Sequence, residues 1–199
     1  MEYFVYCRDR SGTWELRLEL TEDHWSFMDR YAEEMIARGP TLTPDGERTT
    51  GSMHIVDLPD SAAAREFAFE EPNYKAGVYG EVLIHRWRNV LGRTMWEFEG
   101  ERAGYQRFLI LAHGEPSKAD DSLDGAHREY LDGDYADRLI AYGPLLSEDG
   151  HEWTGTAILV ELPDRSTAEA MMANDPHTKN GSYKDIEIHP WQFGGRSSS

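Results

Sequence analysis

The chain contains an internal repeat, and this repeat constrains the fold more than any other feature of the sequence. Residues 30–87 align without gaps to residues 134–191, at a constant shift of 104, with 23 identities in 58 positions. The matching stretches are RYAEEMIARGP with DYADRLIAYGP, VDLPD with VELPD, and EVLIHRW with DIEIHPW. The repeat indicates that each half of the chain is one copy of a unit of about 90 residues.

The hydrophobic pattern predicts the order strand, helix, strand, helix, strand in each copy. The predicted strands cover 3–8, 52–58 and 80–87 in the first copy and 107–112, 156–162 and 184–191 in the second. The first helix of each copy is predicted over 22–38 or 124–142 and is ended by Gly39-Pro40 or Gly143-Pro144. A second helix begins at Pro59 or Pro163.

This order with short connections favours an antiparallel sheet covered on one face by two helices, which is an α+β ferredoxin-like unit. The other face of such a sheet is bare in a single copy, so two copies gain stability by packing sheet to sheet. The sequence therefore predicts two tandem ferredoxin-like units packed as an intramolecular pseudo-dimer. It leaves open whether two chains assemble into a further homo-oligomer.

Four segments are predicted along the chain. Residues 1–90 form the first domain, 91–104 a linker, 105–193 the second domain and 194–199 a disordered tail. The linker is expected to be ordered in part, because Met95, Trp96 and Phe98 are costly to leave in water. The tail is small and polar, which is typical of a disordered terminus.

The charge balance narrows the range of partners. Twenty Lys and Arg residues stand against 37 Asp and Glu residues, so the formal net charge is −17. Such an acidic surface repels phosphate backbones and anionic headgroups, which argues against nucleic acid and membrane partners. The single cysteine, Cys7, cannot form an internal disulfide, and the N-terminus has neither the basic nor the apolar region of a signal peptide. A soluble, cytoplasmic protein that binds a small molecule is the expectation.

The histidines can be sorted by whether they recur in the repeat. His24 recurs as His127 if Gly133 is an inserted residue, and His85 recurs as His189 beside a tryptophan, where a packing role is expected. The histidines without a counterpart are interpreted as surface or locally satisfied residues: His54, His113, which aligns with Asp9, His151 and His177. We place His24 and His127 in the first turn of their helices, where the helix dipole keeps an imidazole neutral and basic. Each is a candidate general base, and the alternative is a solvated or capping histidine.

A recurring carboxylate supplies the second candidate element. Asp175 precedes Pro176, and Glu71 precedes Pro72 at the matching position. The residue before a proline is pushed out of the α region, so this side chain is aimed away from the helix that ends there. Its alternative role is that of an ordinary acid in a turn. The recurring residues expected to support a ligand are Thr156, Ser52, Tyr183, Tyr79, Gly181 and Gly77.

The motifs of several other chemistries are absent from the sequence. It has no GxGxxG, Walker, HExxH, CxxC or GxSxG sequence. A nucleotide cofactor, a metal site and a serine or cysteine nucleophile are therefore not predicted, and the candidate chemistry requires no cofactor.

Taken in order, the motifs resemble the YCII-related family in tandem duplication. They are a short strand, a histidine in a helix opening, GP, DG, an apolar strand after GS or GT, LPD, the acid-proline pair, a glycine loop and a closing IxxW. The resemblance covers nearly all of both copies. It implies a fold of the dimeric α/β-barrel type and an active site built on a His–Asp dyad. One type of member is a dehydrochlorinase acting on a chlorinated hydroxyquinol.

Carried over to this sequence, the implied dyad is His127 with Asp175, whereas the first copy has His24 with Glu71. The longer Glu71 side chain suggests that the two halves have diverged. The function expected is cofactor-independent proton transfer by a lyase or isomerase: elimination of water or halide, or isomerisation, on a small cyclic or aromatic compound. The alternatives are a non-catalytic small-molecule binding or accessory protein, and a purely structural or regulatory interaction module.

Overall fold

A computed structural model of the chain describes residues 1–120 and 122–196. The chain divides into two compact units. The first consists of Met1–Trp87 and the described residues of Trp191–Ser199, and the second is Arg88–Pro190. The segment 91–104 therefore belongs to the second unit, where Met95 is buried but Trp96 is 53% exposed. The expectation that the apolar side chains of this segment would be buried is confirmed for Met95 and is wrong for Trp96.

The first unit is a four-stranded antiparallel sheet with helices. Its strands are β1 (Glu2–Asp9), β2 (Met35–Leu42), β3 (Thr49–Asp57) and β4 (Tyr79–Trp87). Its helices are α1 (Trp14–Glu19), α2 (Thr21–Met28), α3 (Ser61–Phe69) and α4 (Pro72–Lys75). Strand β1 lies between β3 and β4, and β2 pairs with the other side of β3.

The second unit repeats this arrangement. Its strands are β5 (Gln106–Gly114), β6 (Leu139–Leu146), β7 (Trp153–Leu162) and β8 (Tyr183–Pro190). Its helices are α5 (Ser122–Asp134), α6 (Arg165–Asn174) and α7 (Pro176–Lys179). Strand β5 lies between β7 and β8, and β6 pairs with β7.

One face of each sheet carries the helices, as the sequence predicted. In the first unit, alternate residues of β1 (Tyr3, Val5 and Cys7) pack against Phe27 of α2 and Phe67 of α3. The equivalent core of the second unit joins β5, β6 and β7 to α5 and α6. The period of two in the strands and the apolar faces of the helices therefore meet in one core per unit. The predicted ferredoxin-like fold of both copies is confirmed.

The Gly-Pro pairs do not end helices, and this part of the prediction was wrong. The helix predicted over 22–38 corresponds to α2, which ends at Met28 and is followed by a 3-10 turn at Asp29–Tyr31. Gly39 and Pro40 instead lie inside β2, and Gly143 and Pro144 lie inside β6. Both strands are terminal in the sheet of their own unit, where the missing N–H of a proline is tolerated.

The strand register corrects one detail of the sequence alignment. Arg8 of β1 lies opposite Glu81 of β4, and His113 of β5 lies opposite Asp185 of β8. Glu81 and Asp185 occupy the same position in the two copies. His113 is therefore the structural counterpart of Arg8 and not of Asp9, so the shift between the copies is 105 at this strand.

The described part of the C-terminal tail contacts the first unit. The Arg196 guanidinium binds the carboxylates of Glu22, at 2.6 Å, and Asp29, at 3.0 Å. The predicted disordered tail covers residues 194–199. Arg196 makes these contacts, whereas residues 197–199 lie outside the described residues. None of the helices in the described part of the chain has both the length and the apolar character needed to cross a membrane.

Candidate active site

His127 and Asp175 meet in the second unit, although 48 residues separate them in the sequence. The Nδ1 atom of His127, on α5, lies 2.7 Å from Oδ2 of Asp175, which stands between α6 and α7. Asp175 ends α6 and begins α7 because the following proline excludes it from the helical region. Its other oxygen, Oδ1, accepts the backbone N–H of His177 at 2.8 Å. The carboxylate is fully buried and holds both partners at once.

This contact fixes the tautomer of His127. A carboxylate can only accept, so Nδ1 carries the proton and Nε2 keeps its lone pair. The Nε2 atom is buried and has no hydrogen-bond partner within the described residues. His127 also lines a cavity of about 390 Å³. The arrangement presents an oriented imidazole to a space large enough for a small molecule.

The position of His127 in its helix differs from the predicted one. Helix α5 begins at Ser122, so His127 lies in its second turn and not in the first. The helix dipole acts mainly within the first turn, and it therefore contributes less than the sequence suggested. The carboxylate of Asp175 is the group that orients this imidazole.

Aromatic side chains form much of the cavity in the second unit. The indole of Trp153 stacks on the imidazole of His177, with ring centroids 5.1 Å apart and planes 21° apart. His177 in turn lies 5.0 Å from the ring of His127. Thr156 also lines this cavity, and its hydroxyl accepts a hydrogen bond from Tyr183 at 3.0 Å. A flat, partly apolar molecule fits such walls.

Burial tunes the groups around this cavity. It lowers the pKa of the His177 imidazole, and the neighbouring His127 lowers it further. It also raises the pKa of the Tyr183 phenol, with Asp175 adding to the effect. His177 is therefore held neutral, and the Tyr183 hydroxyl remains a proton donor to Thr156.

The first unit contains a matching pair, and Glu71 reaches its histidine despite the extra methylene. The Nδ1 atom of His24 lies 2.5 Å from Oε1 of Glu71. The second oxygen of Glu71 accepts the backbone N–H of Tyr74 at 2.9 Å, three residues on, whereas Asp175 caps the amide two residues on. The longer side chain thus shifts the capped amide by one residue and keeps the contact with the imidazole.

The cavity beside His24 is smaller than the one beside His127 and has its own set of polar side chains. Its cavity, of about 190 Å³, is lined by His24, Arg17, Ser52 and His54 among others. Arg17 donates to Ser52 at 2.7 Å and forms an ion pair with Asp9 at 2.7 Å. Burial lowers the pKa of His54 well below its usual range, and His24 lowers it further.

The other predicted ligand-supporting residues fall into three groups. Ser52 and Thr156 line the two cavities. Tyr79 and Tyr183 lie behind them and donate to their hydroxyls, each at 3.0 Å. Gly77 and Gly181 line neither cavity: they adopt φ of 82° and 71° in turns, where glycine is favoured, so their role is conformational.

Recurrence in the repeat missed several residues at the two cavities. His177, Trp153, His54 and Arg17 were not selected because the other copy lacks them. His177 could have been found from its position two residues after Asp175, where the backbone N–H caps onto the carboxylate. The others are brought in by strand and helix packing that the local sequence does not reveal.

A second group of side chains has the chemistry to hold a metal ion, although the sequence predicted no metal site. Among the described residues, ligand atoms of His113, Asp185 and Glu187 all lie within 4.8 Å of one another. Glu187 contacts His113 through one carboxylate oxygen, at 2.6 Å, and His189 through the other, at 2.9 Å. The sequence carried a weak signal of this group in the alternating order Asp185, Glu187, His189.

Similar proteins are known in sequence and structure. An uncharacterized protein of Haemophilus influenzae is 29% identical over 97 residues, which cover 45% of this chain and 99% of that protein. The chlorite dismutase of Candidatus Nitrospira defluvii, solved with imidazole, has a TM-score of 0.60 at 9% identity, covering 96% of this chain and 91% of its own. That identity shows a shared fold only.

The family is identified by the two halves of the chain. A solved 5-chloro-2-hydroxyhydroquinone dehydrochlorinase from Burkholderia phenoliruptrix AC1100 is 24% identical, with a TM-score of 0.43, and covers 47% of this chain and 99% of its own. The YCII-related domain matches residues 1–88 and again residues 106–192. This match of the family's domain, over most of the chain, shows that the chain belongs to the YCII-related family and carries the domain twice.

Proposed function

We propose that the chain is a small-molecule enzyme in which His127 acts as a general base in the second unit. The reaction is a cofactor-independent proton transfer that leads to elimination of water or halide, or to isomerisation, of a small cyclic or aromatic compound. The observation that carries the proposal is the 2.7 Å contact between His127 Nδ1 and Asp175, with Nε2 free of protein partners in the described residues at the wall of a cavity.

The proposed reaction begins at Nε2 of His127. This atom removes a proton from a carbon beside a carbonyl group, or from a phenolic hydroxyl, and the electron pair moves into the ring. The His127 imidazolium that forms is stabilised by the carboxylate of Asp175. In an elimination, the electron pair then expels the hydroxyl or halide, and the leaving group departs with the proton or to solvent. In an isomerisation, His127 returns the proton to another atom of the ring.

The remaining cavity residues have proposed binding roles. Trp153, stacked on His177, offers a flat surface for a ring. The hydroxyl of Thr156 accepts from Tyr183, so its own proton is directed away from the phenol and toward the cavity it lines. Asp175 is a positioning residue because it acts through His127. We assign His24 and Glu71 the same relationship in the first unit, where the cavity is smaller.

The proposed enzyme works without nucleic acid or membrane partners, in the cytoplasm. The formal charge of −17 supports this part of the proposal because it disfavours polyanionic partners. Whether two chains assemble further is a matter for measurement of the mass in solution.

The proposal can be tested with substrate probes in deuterated water. Chloride release from 5-chloro-2-hydroxyhydroquinone measures elimination. Deuterium incorporation into cyclic diketones and hydroquinones, followed by NMR, measures proton transfer. The His127→Ala variant should lose about 10²- to 10⁴-fold in rate, the usual contribution of a general base. His151→Ala is the matched control, because His151 is an exposed histidine of the same unit. Equal turnover by His127→Ala and the unaltered chain would contradict the proposal.

The non-catalytic alternative makes a different prediction. A binding or accessory protein would bind ring compounds in the cavity of the second unit but would leave every probe unchanged. Binding followed by tryptophan fluorescence, with Trp153→Thr as the variant, measures occupancy independently of turnover. The first unit carries Thr49 at this position, so the variant borrows a residue that the fold already accommodates.

A further inference from the structure

We propose that the second unit also binds a divalent transition-metal ion, through His113, Asp185 and Glu187, with His189 as a neighbouring fourth donor. The ligand class is a borderline ion such as Zn²⁺, Co²⁺ or Ni²⁺. This site is separate from the His127 cavity and does not depend on the proposed enzyme activity.

Two paired strands form the frame of this site. His113 of β5 and Asp185 of β8 are direct cross-strand partners, so their side chains leave the sheet on the same face. Glu187 and His189 follow Asp185 at intervals of two residues and therefore share that face. Hydrogen bonding along β5 and β8 holds the donors in place before any ion arrives, which reduces the cost of ordering them.

The donor atoms already converge. The Nε2 atom of His113 lies 2.6 Å from Oε1 of Glu187, and the Nε2 atom of His189 lies 2.9 Å from Oε2 of the same carboxylate. Asp185 brings a carboxylate oxygen within 4.8 Å of the His113 and Glu187 donors. Ligand atoms around a tetrahedral Zn²⁺ are about 3.3 Å apart, given bonds of about 2.0–2.1 Å. Changes of up to about 1.5 Å in the separations between these donor atoms would therefore bring them to the spacing of a bound ion.

The donor types select the ion. Imidazole nitrogens suit zinc, cobalt, nickel and copper, whereas magnesium and calcium prefer sites made only of oxygen. Two imidazoles and two carboxylates on one face match the first group. The partial burial of His113 and Glu187, which are 22% and 19% exposed, favours a bound ion over loose surface association.

The first unit supplies an internal comparison. At the position of His113 it has Arg8, which forms an ion pair with Glu81 at 2.8 Å, and at the position of Glu187 it has Leu83. A fixed cation and an apolar residue cannot ligate a metal. The second copy thus replaces an ordinary ion pair with a set of metal donors on the same backbone frame.

The proposed metal site and the His127 cavity lie on opposite faces of one sheet. Thr156, which lines the cavity, is the cross-strand partner of Ala112, and Ala112 belongs to the helix-covered core. His113, the next residue along β5, points to the other face. The two sites can therefore be altered independently.

The experiment is a titration of the metal-free chain with Co²⁺, followed by its visible absorption, and with Zn²⁺, followed by calorimetry. We expect one ion per chain in an imidazole and carboxylate environment. His113→Arg and Glu187→Leu, which install the residues of the first unit, should each weaken binding by about tenfold or more. Because the first unit folds with these residues, circular dichroism should remain unchanged in both variants.

Two control variants decide between this site and other sources of affinity. His127→Ala and His151→Asn should bind the ion as the unaltered chain does. Binding that survives both His113→Arg and Glu187→Leu would overturn the proposal and would assign the affinity to the general negative charge. Loss of binding in His127→Ala would overturn it as well, because the ion would then lie in the cavity. No saturable binding to the unaltered chain would also refute it.

Discussion

Replacing Asp175 by Asn is expected to reverse the tautomer of His127. The Asp175 carboxylate accepts from His127 Nδ1 at 2.7 Å and from the backbone N–H of His177 at 2.8 Å. An Asn side chain has only one oxygen, and a backbone amide can only donate, so that oxygen must face His177. The Asn NH₂ group then faces Nδ1, which becomes the acceptor, and the proton moves to Nε2. A protonated Nε2 cannot act as a base toward the cavity.

The magnitudes follow from these two contacts. A hydrogen bond to a charged group contributes about 1.5–3 kcal/mol, so Asp175→Ala, which removes both, should cost about 3–6 kcal/mol of stability. Asp175→Asn keeps both contacts in neutral form and should cost about 1–4 kcal/mol, since a neutral hydrogen bond contributes about 1 kcal/mol. Turnover should nevertheless fall by about 10³- to 10⁴-fold, as expected when an imidazole is held in the wrong tautomer.

The tautomer is measured by long-range proton–nitrogen NMR on ¹⁵N-histidine-labelled protein, and stability by urea unfolding. The matched control is Glu71→Gln in the first unit, where Oε2 of Glu71 accepts the N–H of Tyr74 and the same argument applies to His24. Each substitution should change the tautomer of the histidine in its own unit only. An unaltered chain in which Nε2 of His127 already carries the proton, or an Asp175→Asn variant with an unchanged tautomer, would refute the reasoning.

Further predictions concern stability. Glu161→Ala should cost about 3–5 kcal/mol in urea unfolding, because it removes the buried carboxylate that accepts the backbone N–H of Arg102 at 2.7 Å and pairs with Arg107 at 3.1 Å; a loss below 1 kcal/mol would contradict this. Met171→Ala, at a fully buried core position, should cost about 2–5 kcal/mol, and an exposed control such as Glu169→Ala should cost little. Burial lowers the pKa of His54, so only the unfolded chain is protonated there below about pH 6.5, and stability falls as the pH drops below that value. His54→Ile, the residue of the second copy, should remove up to about 1.4 kcal/mol per pH unit of this dependence between pH 6 and pH 5; an unchanged slope would count against it.

The repeat determined the fold at the level of the unit. Because both copies keep the same alternation and the same helix faces, the helix-covered sheet and three of the four strands in each copy could be derived from the sequence alone. Strand β2 and its counterpart β6 could not, and part of each was assigned to the first predicted helix. Residues 30–38 are good helix formers, yet Met35–Leu42 gains more by pairing with β3 and forms a strand that contains Gly39 and Pro40. Sheet pairing overrode local propensity there.

Recurrence in the repeat selected the histidine and the acid of each candidate site, but not the other cavity residues. His24 and Glu71, and likewise His127 and Asp175, are hydrogen-bonded in the structure, as the resemblance to the family implied. The side chains that distinguish the two cavities do not recur, and therefore recurrence could not select them. Trp153 and His177 meet only because β7 and α7 pack in the same unit.

The sequence by itself determined the duplicated unit and its acidic character, since these are properties of composition and of the repeat, whereas the pairing of His24 and His127 with carboxylates was only what the resemblance to the family implied. Only the tertiary structure decided which strands pair in which register. That register places His113 opposite Asp185, 72 positions away in the chain, and gives the second unit a set of metal donors where the first has an ion pair. Strand register depends on hydrogen bonds between distant segments, and so no local pattern encodes it.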